Sequence, residues 1–298
     1  MPLIEDRNQV SPGLRRWFRP AGWTIGCALL ASAVVVALRS LPEAMEVLGG
    51  IERPDPIRIL LLPVLILANL LLTAELFHLL GRRFVRITRL EDLAVVAGLT
   101  LANYLPFRPG VFMRVGYFRG RHGLPVASTV RILGEAYGIT GASVLLLLLL
   151  LCTLGGVTGG LVLAWGAAFL VPAVLLLLPK SRLHARAGLV RMLESFLWAV
   201  RLHLAFALVG QPIDFTVATA VAVAGMASQM VPFVGNGIGL REWATGLLAG
   251  LLAGTPLGIA LAAELLVRAA ELLVLVPAGI LSAVWLGRGD GPRRRVTP

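Results

Sequence analysis

The chain has 298 residues, of which 57% are apolar and 14% are charged, whereas about a quarter of a typical soluble domain is charged. Its mean hydropathy is +0.85, and apolar runs such as 126–152 and 157–178 exceed the roughly 18–20 residues that cross a bilayer. A soluble core has no use for many long helices that are apolar on every face. The composition therefore excludes an ordinary soluble domain and predicts an all-α polytopic membrane protein.

The formal net charge of +11 raises the question of nucleic acid, but the distribution of the cations argues against it. The arginines and lysines lie in short loops and at the termini, which is typical of cytoplasmic segments. We expect a bacterial-type cytoplasmic membrane protein that contacts anionic lipids and no nucleic acid. Cys27 and Cys152 both lie inside apolar runs and show no metal-ligand spacing, so neither a metal nor a cofactor is expected.

In chain order, the sequence predicts an amphipathic leader (1–21), a single transmembrane domain (22–287) and a basic tail (288–298). The leader and the tail are both rich in arginine, so both termini are predicted to be cytoplasmic. Residues 39–56 carry more acidic than basic side chains and are predicted to lie outside. The predicted full spans, about six in number, are 22–38, 57–80, 126–152, 157–178, 193–209 and 257–286.

Two further segments, 92–122 and 214–254, must each leave and re-enter one side of the membrane if the charged loops are placed correctly. The first is broken by Pro and Gly at 105–110 and the second at 230–240. We interpret them as broken re-entrant helical hairpins that enter from opposite sides. They make 57–152 and 193–286 the two halves of an inverted repeat, a recurring plan of transporters. The alternative, that each hairpin crosses the membrane twice, has the same ends and stays open.

Charged residues inside the apolar segments are the main functional signal. A charge at the centre of a bilayer costs about 2.5–3.5 kcal/mol, so such residues need partners or a wet cavity. In the last span Glu264, Arg268 and Glu271 are spaced i, i+4, i+7 and lie on one stripe of a helix. Arg131 and Glu135 repeat the i, i+4 spacing in an earlier span.

The second break combines a glycine-rich loop with Arg241 and Glu242. Adjacent residues of a helix point about 100° apart, so these two charges need other partners. We expect Glu264 or Glu271 to meet Arg241, and Arg268 to meet Glu242. A purely structural ion-pair network is the alternative to a binding site.

The glycines of this loop are Gly235, Gly237 and Gly239. If a helix begins near Leu240, its free N–H groups face the loop, and Arg241 adds a cation beside them. That combination suits a phosphate or a carboxylate. The spacing does not match the dinucleotide-binding fingerprint.

Two motifs resemble the flippase-like transmembrane domain of lysylphosphatidylglycerol synthases. One runs from Asn103 to Arg114 with a glutamate, Glu135, in the next helix, and the other is the Pro232–Glu242 stretch, followed downstream by Arg268. The family usually has an acidic residue where this chain has Val111. The resemblance implies lipid translocation or lipid binding without lysyl transfer, because no aminoacyl-transferase domain accompanies these motifs.

The leading hypothesis is a lipid transporter or flippase-like protein that moves or binds a phosphate-bearing headgroup, either of a phospholipid or of a polyprenyl phosphate. The alternative is a membrane enzyme, or its membrane subunit, for lipid-linked headgroup or glycosyl transfer, although no catalytic motif is visible. A homo-oligomer and a glycosyltransferase or lipid-synthase partner are both compatible with the sequence. The predicted substrate-binding residues are Arg241, Gly235, Gly237, Gly239, Glu242, Arg114 and Arg268. The predicted supporting ion pairs involve Glu264, Glu271, Arg131 and Glu135.

Overall fold

The computed structural model describes residues 56–105, 108–154, 159–231 and 235–287, together with Val35. Within these ranges the chain forms nine α-helices, a short 3₁₀ turn and no strand. The predicted leader, first span and basic tail lie outside the described residues. The helices, in chain order, are α1 (Pro56–Gly81), α2 (Arg89–Ala102), α3 (Pro109–His122), α4 (Val126–Leu154), α5 (Gly160–Leu175), α6 (Arg182–Leu208), α7 (Phe215–Ser228), α8 (Leu240–Ala253) and α9 (Leu257–Gly287).

The all-α prediction is confirmed for the described residues. Most helix bounds lie close to the predicted segments, but the span predicted at 193–209 is wrong at its start, because α6 begins at Arg182. The last span, predicted at 257–286, is α9, and the segment predicted at 126–152 is α4. Two of the described helices, α1 and α4, are long and apolar enough to cross a membrane. The topology of six spans stays a prediction.

Both predicted breaks interrupt the helices where proline and glycine occur. At the first break α2 ends at Ala102 and α3 begins at Pro109, whose fixed φ and missing N–H suit the first helical position. At the second break α8 begins at Leu240, after Gly239 with a φ of 80°, a backbone conformation that favours glycine. The 3₁₀ turn Gly235–Gly237 precedes it.

The helix lengths recur along the chain. The first half has helices of 26, 14, 14 and 29 residues, and after α5 the second half has helices of 27, 14, 14 and 31 residues. The helix contacts recur as well. α1 and α6 pack on each other. In the first half both α2 and α1 contact α9, and in the second half both α7 and α6 contact α4. The described halves are therefore matched in both element length and packing.

Large apolar side chains lie on the surface as well as in the core, which is unlike a water-soluble bundle. Large apolar side chains are exposed along α1, α4, α5 and α9, for example Val162 at 76% and Leu273 at 70%. Charged side chains are buried in the middle, where Glu242 and Glu264 are both 0% exposed. Because ionised side chains are almost never fully buried unless they are paired, the interior has to supply their partners.

Candidate functional site

Six buried charged side chains of the second half form one connected network centred on Arg241. The Arg241 guanidinium contacts Glu264 and donates to both carboxylate oxygens of Glu271 at 3.0 and 3.1 Å. Arg201 of α6 reaches the same carboxylate of Glu271 at 3.0 Å. The pairing that the sequence predicts for Arg241, with Glu264 or Glu271, is confirmed, and the side chain contacts both.

A second arm of the network joins Arg268 to Glu242. Arg268 Nε donates to Glu242 Oε1 at 2.7 Å, and its Nη2 donates to the backbone oxygen of Asn236 in the glycine loop at 3.0 Å. This predicted pair is also confirmed. The Arg268 side chain of α9 therefore binds both the glycine loop and the first turn of α8.

Neutral side chains add hydrogen bonds to two of the glutamates. The Tyr104 hydroxyl donates to Glu271 Oε2 at 2.8 Å, and the Thr245 hydroxyl donates to Glu264 Oε2 at 3.1 Å. The Trp198 ring contacts two guanidinium groups, with the Cζ atoms of Arg201 and Arg241 each 4.5 Å from a ring centroid, a distance at which the ring face attracts a cation.

The network balances its charges. Three arginines (Arg201, Arg241 and Arg268) meet three glutamates (Glu242, Glu264 and Glu271). Breaking a buried ion pair by removing one partner costs about 3–5 kcal/mol, because the other charge is left uncompensated. The cluster therefore fixes α6, α8 and α9 relative to one another.

Beside the network lies a cavity of about 200 Å³, bounded by α1, α2, α3, α4, α6, α7 and α9. Its wall includes Glu271 from the network and Asn236 from the glycine loop. The charged residues that line it are Arg108, Arg114, Arg191, Arg201, Glu194 and Glu271. A cavity bounded by charged groups from both halves of the chain is suited to a polar ligand.

The first break contributes two arginines to this cavity. Arg108, with a φ of 48° at the N-terminus of α3, donates to the backbone oxygen of Gln229 and to the Tyr137 hydroxyl. Arg114 lies 3.7 Å from the centroid of the Phe77 ring and is 6% exposed. Arg114 is the only predicted substrate-binding residue among the described ones that lines the cavity.

The other predicted substrate-binding residues do not line the cavity. Arg241, Glu242 and Arg268 lie in the ion-pair network, and Gly237 and Gly239 adopt positive φ in the turn that leads into α8. Gly235 begins the 3₁₀ turn. Contact between these residues and a substrate stays a prediction.

Arg131 and Glu135, predicted as supporting residues, lie apart from the network. Arg131 Nε is 3.1 Å from Glu135 Oε1, and Glu135 also pairs with Arg83 and with His184. The structure brings Glu264 and Glu271 together with Arg241, but it places the pair from α4 among partly exposed basic side chains.

Sequence reasoning missed the polar face of α6. The sequence predicts that Arg191 belongs to a cytoplasmic basic cluster. In the structure Arg191 lies inside α6, lines the cavity and pairs with Glu194 at 2.8 Å. Glu194 also accepts from the Thr73 hydroxyl at 2.8 Å. The available signal was spacing, because Glu194, Trp198 and Arg201 repeat the i, i+4, i+7 pattern of the last helix.

No protein-family model, no curated protein and no solved structure matches this chain. The functional interpretation therefore depends on the residues and the geometry described above.

Proposed function

We propose that this protein is a membrane lipid transporter of the flippase-like kind, which moves or binds a phosphate-bearing lipid headgroup. The headgroup occupies the central cavity while the acyl or prenyl tails remain in the bilayer. One observation carries the proposal: a cavity lined by charged side chains from both halves lies inside a chain whose outer surface is apolar.

The apolar surface supports a membrane setting. The core helix of a soluble protein is mostly buried, but only 33% of the most apolar window of α1 and 11% of that of α4 are buried. Contiguous exposed apolar surface of this extent marks contact with lipid or with a partner. Leu, Val and Ile side chains outside and Arg and Glu side chains inside are what a bilayer favours, since a charge in hydrocarbon costs several kcal/mol.

Helix length supports the re-entrant hairpins. Each of α2, α3, α7 and α8 has 14 residues, which at 1.5 Å per residue gives about 21 Å. The hydrocarbon core of a bilayer is about 30 Å thick, so a helix of this length ends inside it. Broken half-helices in matched halves, with polar groups between the halves, are the arrangement that transporters with inverted repeats use for their sites.

The buried network is the frame of this site. Arg241 and Arg201 direct the Glu271 carboxylate at the cavity wall, and Arg268 fixes the loop that brings Asn236 to the same wall. Because the network joins α8 to α6 and α9, these three helices move as one body when a headgroup moves between the leaflets.

Lipid movement in proteoliposomes tests the proposal. Vesicles that contain the purified protein and a fluorescent phospholipid are treated with an impermeant quencher, and the quenched fraction reports movement from the inner leaflet. Val111 lines the cavity, so Val111→Trp fills it and is expected to slow movement at least tenfold. Val162→Trp is the matched control, because Val162 is exposed on α5 and its replacement leaves the rate unchanged.

Two results would contradict transport. One is wild-type protein that moves no lipid faster than empty vesicles do. The other is a covalently altered headgroup, detected by mass spectrometry of the extracted lipid, without any movement between leaflets, which indicates a membrane enzyme instead.

A further inference from the structure

Arg114 is 6% exposed and forms no ion pair with the described carboxylates. Asp92 bonds to His78 at 2.8 Å, and Glu91 bonds to His122 and Arg121. Arg114 interacts with Asp92 electrostatically at longer range, and its direct contact is the Phe77 ring. Burying an unpaired charge is costly. An anion in contact with the Arg114 guanidinium would therefore stabilise it, and no described carboxylate lies at contact distance.

The same place carries a second source of positive potential. Helix α3 begins at Pro109, and its N-cap residue, Arg108, makes no side-chain capping hydrogen bond. Gly110 and Val111, in the first turn, line the cavity. Arg114 follows Gly110 by four residues, so both lie on the same face of α3. The N-terminus of a helix attracts anions through its dipole and its N–H groups. In this first turn the N–H that remains for an anion is that of Gly110, because Pro109 has none and the Val111 N–H donates to the Arg108 carbonyl oxygen at 2.9 Å.

The wall of the cavity has an excess of positive charge. Four arginines line it against two glutamates. Both glutamates are already engaged, Glu271 by Arg241 and Arg201 and Glu194 by Arg191. An anion that enters the cavity therefore meets the charge of Arg114, which forms no ion pair with either glutamate of the wall.

We infer that Arg114 and the first turn of α3 form the seat for a phosphate group, and that Arg241 is a framework residue that does not touch it. This inference depends on the proposed function and specifies the subsite within it. A guanidinium binds two phosphate oxygens in its plane. A Cβ at Gly110 would clash with the Leu99 carbonyl oxygen and with Asn103 Oδ1 at 2.5 Å, so the wall of this seat is close-packed.

Phosphate chemistry is shared by a free anion and by a lipid headgroup, and the experiment separates the two sources. Binding of inorganic phosphate and of a short-chain phosphatidylglycerol is measured by isothermal titration calorimetry with the protein in an uncharged detergent. We expect both ligands to bind the wild type. Arg114→Gln is expected to weaken both by about 10- to 100-fold, the range for losing a hydrogen bond to a charged group.

Two further variants make the result specific. Arg114→Lys keeps the positive charge but loses the planar set of N–H donors of the guanidinium. We expect this variant to retain part of the affinity for both ligands. Arg119→Gln removes an exposed arginine of the same helix and is expected to leave binding unchanged. A ligand-dependent rise in the unfolding temperature, present in the wild type and absent in Arg114→Gln, shows that the variant is folded but has lost its ligand.

The outcomes separate this inference from the proposed function. If Arg114→Gln binds both ligands as the wild type does, the seat is elsewhere and the inference is wrong, while Val111→Trp still tests transport. If Arg114→Gln unfolds at a much lower temperature in the absence of ligand, Arg114 serves Asp92 as a structural counter-ion and the inference is overturned. Binding of phosphate without the short-chain lipid supports the seat but contradicts a lipid substrate.

Discussion

The two breaks of the chain share a backbone design but treat their arginines differently. Each break contains a residue other than glycine with positive φ, Arg108 at 48° and Asn236 at 44°. Each is followed by a 14-residue helix that carries an arginine in its first two turns. Arg241 is enclosed by Glu264 and Glu271, whereas Arg114 lines the cavity and forms no ion pair with the described carboxylates.

This difference shows how one motif serves two purposes. Both arginines are buried to a similar degree, 6% exposed for Arg114 and 1% for Arg241, so burial alone does not separate them. What separates them is the stripe of acids on the neighbouring long helix, which α9 supplies and α4 does not. A buried arginine with counter-ions stabilises a fold, and one without them is available to a ligand.

The largest expected effect is on stability, at Arg241. Arg241→Gln leaves the buried Glu264 and Glu271 with less compensation and is expected to lower the free energy of unfolding by about 3–5 kcal/mol. Arg114→Gln is expected to change it by less than about 1 kcal/mol, because the lost cation–π contact with Phe77 is offset by removal of an unpaired buried charge. Denaturation of both variants by sodium dodecyl sulfate in mixed micelles measures the difference. Equal losses would remove the distinction between the breaks.

A smaller coupling is expected between Glu242 and Arg268. Each single replacement by Gln leaves its partner charged and buried, so the double variant Glu242→Gln/Arg268→Gln is expected to lose less stability than the sum of the two. Residues in one such network couple by about 0.5–3 kcal/mol. The same unfolding titration on the four proteins of the cycle measures this term. Strict additivity would show that the 2.7 Å contact contributes nothing.

The smallest effect on stability is expected at the two residues other than glycine that have positive φ, Arg108 and Asn236. Asn236→Gly is expected to be nearly neutral, because Arg268 bonds to the backbone oxygen of Asn236 and glycine adopts this conformation freely. Asn236→Ala is expected to lose about 1 kcal/mol. Arg108→Gly relieves the same backbone strain but loses the bonds to Gln229 and Tyr137, so it is expected to destabilise. Thermal unfolding of the three variants ranks them, and a stabilising Arg108→Gly would contradict the role assigned to that side chain.

Much of the fold could be predicted because it depends on local rules. Pro109 and the glycines around Asn236 lie at the two predicted breaks, and Leu240 begins α8 as expected. The i, i+4, i+7 stripe of Glu264, Arg268 and Glu271 also follows from helical spacing alone. The partners of Arg241 were predicted as a pair of alternatives, Glu264 or Glu271, and the structure shows both.

The site itself could be predicted only in part. Arg201 and Arg191 are on α6, and nothing in their local sequence says that one joins Arg241 at Glu271 while the other lines the cavity with Glu194. Likewise, the Arg131–Glu135 pair has the same spacing as Glu264–Arg268, yet it lies near Arg83 and His184. Local spacing predicts which side chains share a helix face but not which helix lies opposite.

By itself the sequence determined the helical segments, their two breaks and the apolar surface, because proline geometry, glycine freedom and hydrophobic burial act within a few residues of the chain. The tertiary structure alone decided which arginine is neutralised. Packing of α8 against α9 brings two glutamates to Arg241, whereas Arg114 of α3 contacts the Phe77 ring of α1 and lines the cavity. That choice depends on contacts between residues far apart in the chain, which no local pattern encodes.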